Sequence, residues 1–401
     1  MNAPSKSPFS VLQQHGAARR GTLNTMHGVV ETPVFMPIAT AGALKTLLPS
    51  EVTNLGASII LGNTYHLLLR PGEEELKKLG GVRSFMHWDG PLLTDSGGYQ
   101  VFSLSKLNKT DDDGVTFQSH IDGSSHRLTA ERSMEIQDAI GSSIRMQFDD
   151  VAAGNSTRDR YTEAMERSLR WAARSKAKFN ELVSTTTLPL TKGELEGVRP
   201  LLFGIIQGGT HLDLRARSLQ GLTDIGFDGY AIGGLSVGES REDAFRIVRS
   251  LAKEMPTDRP RYFMGGGMPE EIVAYVSFGV DMFDCVLPTR NARHGSLFVW
   301  KGNPKDAVRE AFTRAMDGAA DFRIAEALYE KIQITNERFT ADETPIDFWN
   351  DAETSKTFSR AYLRHLFKTG ETLGLRLATL QNLGFYLRMM EELRECTANP
   401  L

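Results

Sequence analysis

Short apolar runs recur between residues 34 and 284, and most end in glycine or in a polar side chain. There are eight, several of them rich in β-branched residues, at 34–37, 58–63, 92–95, 144–149, 201–207, 230–233, 262–265 and 282–284. Runs of this length and composition are typical of strands buried on both faces of a parallel sheet. The pattern therefore predicts eight parallel strands.

Amphipathic segments lie between these runs, and several begin with helix start signals. Examples are Pro49-Ser50-Glu51, Thr129-Ala130-Glu131, Ser240-Arg241-Glu242 and Pro269-Glu270-Glu271. Eight strand-helix units within about 290 residues predict an α/β fold closed as a (β/α)8 TIM barrel. An open doubly wound sheet is disfavoured, because the first run is followed by Ala39-Thr40-Ala41-Gly42 and not by a glycine-rich dinucleotide fingerprint.

The same pattern predicts three regions along the chain. Residues 1–20 form a flexible N-terminal lead, 21–300 the barrel domain, and 301–401 a mostly helical C-terminal subdomain. Within the barrel, 103–123 predicts an inserted hairpin, and 184–197, punctuated by Thr, Pro and Gly, predicts a mobile loop. The charged, periodic stretch 306–330 predicts one or two surface helices.

Composition narrows the classes of protein that fit. Hydrophobic residues make up 40% and charged residues 24% of the chain, and no apolar run approaches the roughly 20 residues that span a bilayer. We therefore expect no membrane association, and a cytoplasmic location because the first residues lack an apolar signal segment. The formal net charge of −4 requires that any nucleic-acid site be a local patch.

Candidate chemistry lies at the polar ends of the predicted strands, where barrel enzymes place their active sites. Three of the eight runs end in aspartate. The residues are Asp95, Asp149 with Asp150 directly after it, and Asp284. Carboxylates that converge at one mouth repel one another, which favours either cation binding or acid-base chemistry. Each aspartate taken alone has a second interpretation, as the N-cap of the helix that follows it.

Four strings at these strand ends closely resemble motifs of the tRNA-guanine transglycosylase family. The resemblance covers residues 21–295 and 359–363, and its motifs are 94–102 (TDSGGYQVF), 203–209 (FGIIQGG), 230–239 (YAIGGLSVGE) and 281–290 (DMFDCVLPTR). It implies an enzyme of queuosine modification that exchanges the wobble guanine of tRNAs with GUN anticodons for a 7-deazaguanine base. That base is either queuine or 7-aminomethyl-7-deazaguanine.

The resemblance also implies roles for individual residues. The position of Asp284 is that of a nucleophile that attacks the ribose and holds a covalent tRNA, and that of Asp95 is a general acid/base. Such a retaining double displacement predicts carboxylates roughly 5 Å apart. Asp149 would accept hydrogen bonds from guanine N1–H and the 2-amino group. The remaining base-pocket positions implied are Ser96, Tyr99, Gln207, Gly234, Leu235 and Met264, with Gln207 and the N–H groups of Gly234 and Leu235 facing the 6-oxo group and with Tyr99 and Met264 sandwiching the ring.

Two sets of basic residues are candidate tRNA contacts. Arg290 and Arg293 match the anticodon-loop readers of the family, and arginine suits phosphate and base edges because its fork binds them bidentately. Lys356, Arg360, Arg364 and Lys368 recur at intervals of four, which predicts one helix face. That face is either a phosphate track or an ordinary solvated surface. By resemblance we also expect a homodimer.

The chain departs from the family at its zinc site. The resemblance implies a structural zinc held by a C-x-C-x-x-C motif and a histidine, but those positions carry Asn350, Ala352, Ser355 and Gln381. Cys285 and Cys396 are the only cysteines, too few for a thiolate-rich zinc site. We therefore expect no cofactor. We also expect the C-terminal subdomain to be held by packing of Phe348, Trp349, Phe358, Tyr362 and Leu366.

Two questions stay open on the sequence. Val151 matches the eukaryotic catalytic subunits and Val237 the bacterial enzymes, so the two markers of base preference disagree, with the smaller base slightly favoured. The main alternative function is a non-catalytic tRNA-binding partner subunit. A barrel glycoside hydrolase is a third, although Trp171, Trp300 and Trp349, three of only four tryptophans, lie away from the strand ends.

Overall fold

The N-terminal residues form an antiparallel sheet across the floor of a barrel. The computed structural model describes residues 7–104, 108–185, 199–319 and 321–399. Its first three strands are β1 (Phe9–His15), β2 (Ala18–Thr25) and β3 (Gly28–Thr32). Phe9, Leu23 and Val30 are buried together with side chains from the barrel interior. The predicted flexible lead is therefore wrong for residues 9–20, because burying Phe9 and pairing with β2 hold this segment in place.

Eight parallel strands form the predicted barrel, and all eight runs found in the sequence contribute one. The strands are β4 (Val34–Met36), β5 (Ile60–Gly62), β6 (Leu92–Thr94), β10 (Ile144–Met146), β11 (Leu201–Ile206), β12 (Gly229–Ile232), β13 (Arg261–Phe263) and β14 (Met282–Asp284). Their order is β4-β14-β13-β12-β11-β10-β6-β5. A parallel bridge between Ile38 and Leu61 joins the two ends, with Ala39 N–H donating to Leu61 O at 2.7 Å. The sheet is thus closed, which confirms the TIM barrel.

Helices surround the barrel. They are α1 (Pro49–Asn54), α2 (Thr64–Leu69), α3 (Glu73–Lys78), α4 (Gly81–Met86), α5 (Gly98–Leu104), α6 (Ala130–Ile140), α7 (Arg158–Thr185), α8 (Leu212–Ile225), α9 (Arg241–Glu254), α10 (Pro269–Ser277) and α11 (Leu287–Arg293). Of these helices, α10 is buried on nearly all sides. One apolar cluster fills the barrel interior and a larger one lies between strands and helices. This two-layer core fixes the positions of the strand ends.

The predicted insertion after β6 is a three-stranded antiparallel sheet. Its strands are β7 (Asn108–Thr110), β8 (Gly114–Gln118) and β9 (Ser125–Thr129). Asp112 ties the sheet to α7, because its carboxylate accepts from Arg170 at 2.7 Å and its carbonyl accepts from the Trp171 indole at 2.8 Å. Residues 105–107 of the predicted hairpin lie outside the described residues, as do residues 186–197 of the predicted mobile loop.

The C-terminal subdomain is mostly helical, as predicted, and also contains a β-hairpin. Its elements are β15 (Ser296–Trp300), α12 (Pro304–Met316), α13 (Asp321–Leu328), β16 (Tyr329–Gln333), a 3₁₀ turn (Glu337–Phe339), α14 (Glu353–Thr357), α15 (Arg360–Thr369) and α16 (Thr372–Ala398). The stretch 306–330 packs outside α10, where the Tyr329 hydroxyl donates to Glu270 at 2.8 Å. It therefore braces the barrel wall. Within the described ranges, no helix combines the length and apolarity required to cross a membrane.

The four positions where zinc ligands were sought lie in a buried polar cluster. The Asn350 side chain donates to Gln381 O at 2.8 Å and accepts from Ala352 N–H at 2.9 Å. The Gln381 amide donates to Phe298 O at 2.7 Å and to Asp347 at 2.8 Å. Asp347 also accepts the backbone N–H of Trp300 at 3.1 Å. These bonds join β15, the 347–355 loop and α16 without any sulfur donor.

The aromatic packing predicted for this subdomain is largely wrong. The Phe348 side chain is 72% exposed and that of Trp349 is 44% exposed, and Tyr362 also faces solvent. Leu366 is buried and Phe358 half-buried, in a cluster whose centre is aliphatic. The polar cluster accounts for the difference: Asp347 and Asn350 turn inward to bond, so the two residues between them point outward.

Substituting Asn350→Ala should lower the free energy of unfolding by about 2–4 kcal/mol, because the Gln381 carbonyl and the Ala352 N–H lose their buried partner. The measurement is urea denaturation followed by circular dichroism. Phe348→Ala is the control and should change stability by no more than about 0.5 kcal/mol, as expected for an exposed side chain. Equal losses in the two variants would contradict the assignment of the polar cluster as the main tie.

Candidate active site

Three buried aspartates meet at the C-terminal mouth of the barrel. Asp95 follows β6, Asp149 follows β10 and Asp284 ends β14, and all three side chains are buried. Burial is the largest cause that raises the pKa of Asp149 and of Asp284, and the charge of Asp95 adds to both rises, which places the three within electrostatic range of one another. The fourth predicted aspartate, Asp150, is instead neutralised by arginines of α7 at 2.6 Å. Asp150 therefore differs from the other three aspartates, because its carboxylate is paired with two arginines, although its charge also adds to the rise in the pKa of Asp149.

Asp284 is held by one of its two oxygens. Its Oδ1 accepts from the Tyr262 hydroxyl at 2.5 Å and from the Gly265 N–H at 2.8 Å. Burial raises the pKa of Asp284 to about 6, these two bonds act against that rise, and the charge of Asp95 adds to it. Tyr262 was not recognised from the sequence, where it is one more apolar residue in a strand. Its only signal is its place two residues before Met264, on the strand paired with β14.

Asp95 is oriented by donors from the N-terminus of α2, directly after β5, and from α5. Its Oδ1 accepts the Thr64 N–H at 2.8 Å, and its Oδ2 accepts from the side chains of Asn63 and, at 2.7 Å, Gln100. Burial raises the pKa of Asp95, and these hydrogen bonds act in the opposite direction. The Asp95 carboxyl group is thus buried among neutral donors that favour its ionised form. Asn63, Thr64 and Gln100 were missed in the sequence because no pattern links them to Asp95.

Asp149, Ser96 and Gln207 form a second connected group. Asp149 accepts from the Ser96 hydroxyl and from the Gln207 amide, each at 2.7 Å. Burial raises the pKa of Asp149 to about 6, with both bonds acting against the rise. Gly234 has a φ of +60°, which favours glycine, and a Cβ atom there would lie 2.2 Å from Gln207 Oε1, so the backbone runs directly against this group. The group offers a carboxylate, an amide and nearby backbone N–H groups to a planar ligand.

The remaining pocket residues lie around this group. Leu235 is buried directly after Gly234, and Met264 is half-buried at the end of β13. Tyr99 lies on α5 with its side chain 46% exposed, at the rim. The structure therefore brings Ser96, Asp149 and Gln207 together through direct bonds, and leaves the predicted sandwich of Tyr99 and Met264 a prediction. Within the described part of the chain, no three His, Cys, Asp or Glu side chains are grouped to hold a metal ion.

The two predicted sets of basic residues differ in their surroundings. Arg290 and Arg293 lie on α11, which begins three residues after β14 ends at Asp284, and Arg290 is exposed. The predicted single face is wrong for Lys356, whereas Arg360, Arg364 and Lys368 do recur at intervals of four on one helix, α15. Lys356 belongs to α14, and the chain then extends at Phe358 so that Ser359 can cap α15. Arg360 donates to Ile346 O at 3.2 Å and Arg364 to Asn336 O at 3.0 Å, so both arginines hold backbone within the subdomain.

Comparison with known proteins gives one consistent result. The family profile described as "Queuine tRNA-ribosyltransferase" matches residues 14–399. A queuine tRNA-ribosyltransferase of Thioalkalivibrio sulfidiphilus is 48% identical over 390 residues, covering 97% of this chain and 93% of the relative. Enzymes of the same name from Syntrophobacter fumaroxidans and Zymomonas mobilis are 48% and 45% identical, over 94% and 96% of this chain and 90% of each relative.

Tyr262→Phe should raise the pKa of Asp284 above 6, because the hydroxyl bond that favours the ionised carboxylate is lost. The measurement is a titration of the Asp284 carboxyl carbon by NMR. Tyr230→Phe, a buried tyrosine near the start of the neighbouring strand β12, is the matched control and should leave the titration unchanged. An unaltered or lowered Asp284 pKa in the Tyr262 variant would disprove the role of this hydrogen bond.

Proposed function

The chain belongs to the queuine tRNA-ribosyltransferase family, and we propose that it exchanges the wobble guanine of tRNAs with GUN anticodons for a 7-deazaguanine base. The observation that carries the proposal is the state of Asp284. Both hydrogen bonds that it makes within the described residues fall on Oδ1, which leaves Oδ2 able to attack. With a pKa of about 6 this carboxyl is mostly ionised at neutral pH, as a nucleophile must be.

The reaction proposed is a double displacement. Asp284 Oδ2 forms a bond to C1′ of the ribose as the bond from C1′ to guanine N9 breaks, and Asp95 supplies the proton that the departing guanine takes up. The incoming base then gives a proton to the Asp95 carboxylate and attacks C1′, which releases Asp284. Two inversions restore the original configuration, as in retaining glycosidases. The separation of roughly 5 Å between the two carboxyl groups is part of this proposal.

Recognition of the base is proposed for the group around Asp149. Its carboxylate would accept from N1–H and the 2-amino group, while Gln207 and the N–H groups of Gly234 and Leu235 meet the 6-oxo group. Ser96 holds Asp149 in place, and Tyr99 and Met264 flank the ring.

Arg290 and Arg293 are proposed to contact the anticodon loop, with Lys356 and Lys368 as exposed outer contacts and a smaller part for Arg360 and Arg364.

The alternative of a non-catalytic partner subunit is disfavoured because all three acids are retained with their hydrogen-bond partners. A glycoside hydrolase is disfavoured by the family to which the chain belongs.

We propose a cytoplasmic location, since tRNA is the substrate. We also propose a homodimer, since Phe348, Trp349 and Tyr362 expose aromatic surface on the C-terminal subdomain. Sedimentation analysis measures that assembly directly.

For the incoming base we propose 7-aminomethyl-7-deazaguanine. Val151 is buried, and Gly154 N–H donates to Val237 O at 3.2 Å, so the two loops that carry the base-preference markers are tied together. A Cβ atom at Gly154 would lie 2.5 Å from Glu239 N, which shows how closely these loops approach. The bulky cyclopentenediol of queuine would have to part them, whereas the compact base would not.

We also propose that the chain functions without the structural zinc of its family. Two amides, a hydroxyl and a methyl group occupy the four positions, and all four side chains are buried. Both amides make hydrogen bonds, while among the described residues Ser355 Oγ and Gln381 Oε1 have no hydrogen-bond partner. None of these side chains is a thiolate or an imidazole, the donors that structural zinc sites use. The residues present therefore do not fit the metal, and no step of the reaction is assigned to it.

The central experiment incubates the enzyme with unmodified tRNA bearing a GUN anticodon and radiolabelled guanine. The wild type should incorporate label and form a covalent protein-tRNA adduct on a denaturing gel. Asp284→Asn should lose both, with a fall in rate of about 10³-fold or more, since the amide is a poor nucleophile. Competing queuine with 7-aminomethyl-7-deazaguanine in the same assay identifies the preferred base.

Thermal melting of Asp284→Asn by circular dichroism serves as the folding control. Label incorporation by a folded Asp284→Asn protein would remove the nucleophile assignment. Failure of the wild type to exchange guanine would remove the proposed function itself.

Metal analysis of the purified protein should find zinc far below one atom per chain. A strong chelator should leave the melting temperature unchanged, because the polar cluster needs no ion. Stoichiometric zinc, or a chelator-induced fall in melting temperature, would contradict the zinc-free proposal.

A further inference from the structure

Arg215 is a fully buried cation beneath the proposed base pocket. It is the fourth residue of α8, and its guanidinium donates to backbone carbonyls at the C-terminal ends of β11 and β12. The four acceptors are Gly209 O at 2.9 Å, Ile206 O at 2.7 Å, Gly233 O at 2.6 Å and Gly234 O at 3.4 Å. Burial lowers the pKa of Arg215 to about 10, so the guanidinium stays protonated at neutral pH.

Two of the four carbonyl acceptors belong to the peptide groups that join Gly233 to Gly234 and Gly234 to Leu235. The Gly233 carbonyl and the Gly234 N–H belong to one peptide unit, and the Gly234 carbonyl and the Leu235 N–H belong to the next. Arg215 thus binds, from behind, the two peptides whose N–H groups are proposed to face the 6-oxo group of the base. A charged donor at a carbonyl polarises its peptide, which makes the N–H at the other end a stronger donor and fixes its direction.

The chemistry of the proposed exchange creates a need for such donors. As the bond from C1′ to N9 breaks, negative charge develops on the departing purine and is shared with the oxygen at position 6. Donors that are already aimed at developing charge in a buried site give large rate effects. The residues that follow Leu235 are held in place as well, because the Glu239 carboxylate accepts the backbone N–H groups of Ser236 at 2.5 Å and of Val237 at 3.1 Å. The turn therefore reaches the pocket with its peptides already oriented.

We propose that Arg215 is a positioning residue that makes the peptides of Gly234 and Leu235 a receptor for the oxygen at position 6 of the purine. Its action is indirect, because the guanidinium lies behind the peptides and touches no substrate atom. The inference rests on the proposed function, and it specifies the class of base that the site takes, namely purines and deazapurines with a strongly accepting 6-oxo group.

The test compares guanine with 6-thioguanine, which keeps N1–H and the 2-amino group but carries sulfur, a weaker acceptor, at position 6. Each is measured as a competitor of labelled guanine in the tRNA exchange assay. In Arg215→Met the preference for guanine over 6-thioguanine should shrink by about tenfold, and kcat should fall by about 10- to 100-fold. Loss of packing alone would weaken both bases equally and leave the preference intact.

Arg261→Met is the matched control. Arg261 is also buried and donates to backbone carbonyls, of Met255 at 2.9 Å and Gly279 at 3.3 Å, but at the opposite end of the barrel. Its variant should lose stability and keep the wild-type preference for guanine. If Arg215→Met does not fold, Arg215→Lys, which retains the charge with fewer directed donors, should show the same change in preference to a smaller degree.

The outcomes separate the two levels of the proposal. A wild-type protein that exchanges guanine, with the same base preference in the Arg215 variants and in Arg261→Met, overturns the role of Arg215 alone. A wild-type protein that exchanges no guanine overturns the proposed function. A selective loss of guanine preference in the Arg215 variants supports both.

Discussion

Three carboxyl groups buried at one end of a barrel are the constraint on which the rest of this structure depends. Removing an ionised carboxylate from water is strongly unfavourable unless hydrogen bonds or opposite charges compensate it. Here neutral donors supply most of that compensation: Tyr262 and Gly265 for Asp284, Asn63 and Gln100 for Asp95. Because these partners carry no charge, burial remains the dominant influence, and it raises the pKa of Asp149 and of Asp284 to about 6.

The barrel itself could be predicted because its signal is local and repeated. Each strand is a short apolar run with a polar end, and the polar ends of parallel strands must share one edge, so Asp95, Asp149 and Asp284 were found together. The first strand β1 gave no such signal, since only Phe9 of its seven residues is fully buried. Its order depends on pairing with β2 and on the floor of the barrel, which are properties of the folded chain.

Side-chain partners and helix breaks were harder to predict for related reasons. Spacing places Lys356 and Arg360 on one face only if a single helix carries both, and the capping bond of Ser359 separates two helices between them. Phe348 and Trp349 were expected inside because they are aromatic, yet the burial of Asp347 and Asn350 turned them outward. Arg215 and Tyr262 carry no pattern at all, since their importance comes from acceptors distant in sequence.

The N-terminal sheet across the floor of the barrel has a consequence for the route by which a base can enter and leave the proposed pocket. Phe9, Leu23 and Val30 close the end of the barrel opposite the active-site aspartates. The opening of the pocket therefore lies at the mouth formed by the C-terminal ends of the strands. In the proposed double displacement, the outgoing base and its replacement would both pass through that mouth, and the tRNA would stay bound to Asp284 between the two steps. The closed floor would then make guanine leave by the same route that its replacement takes to enter.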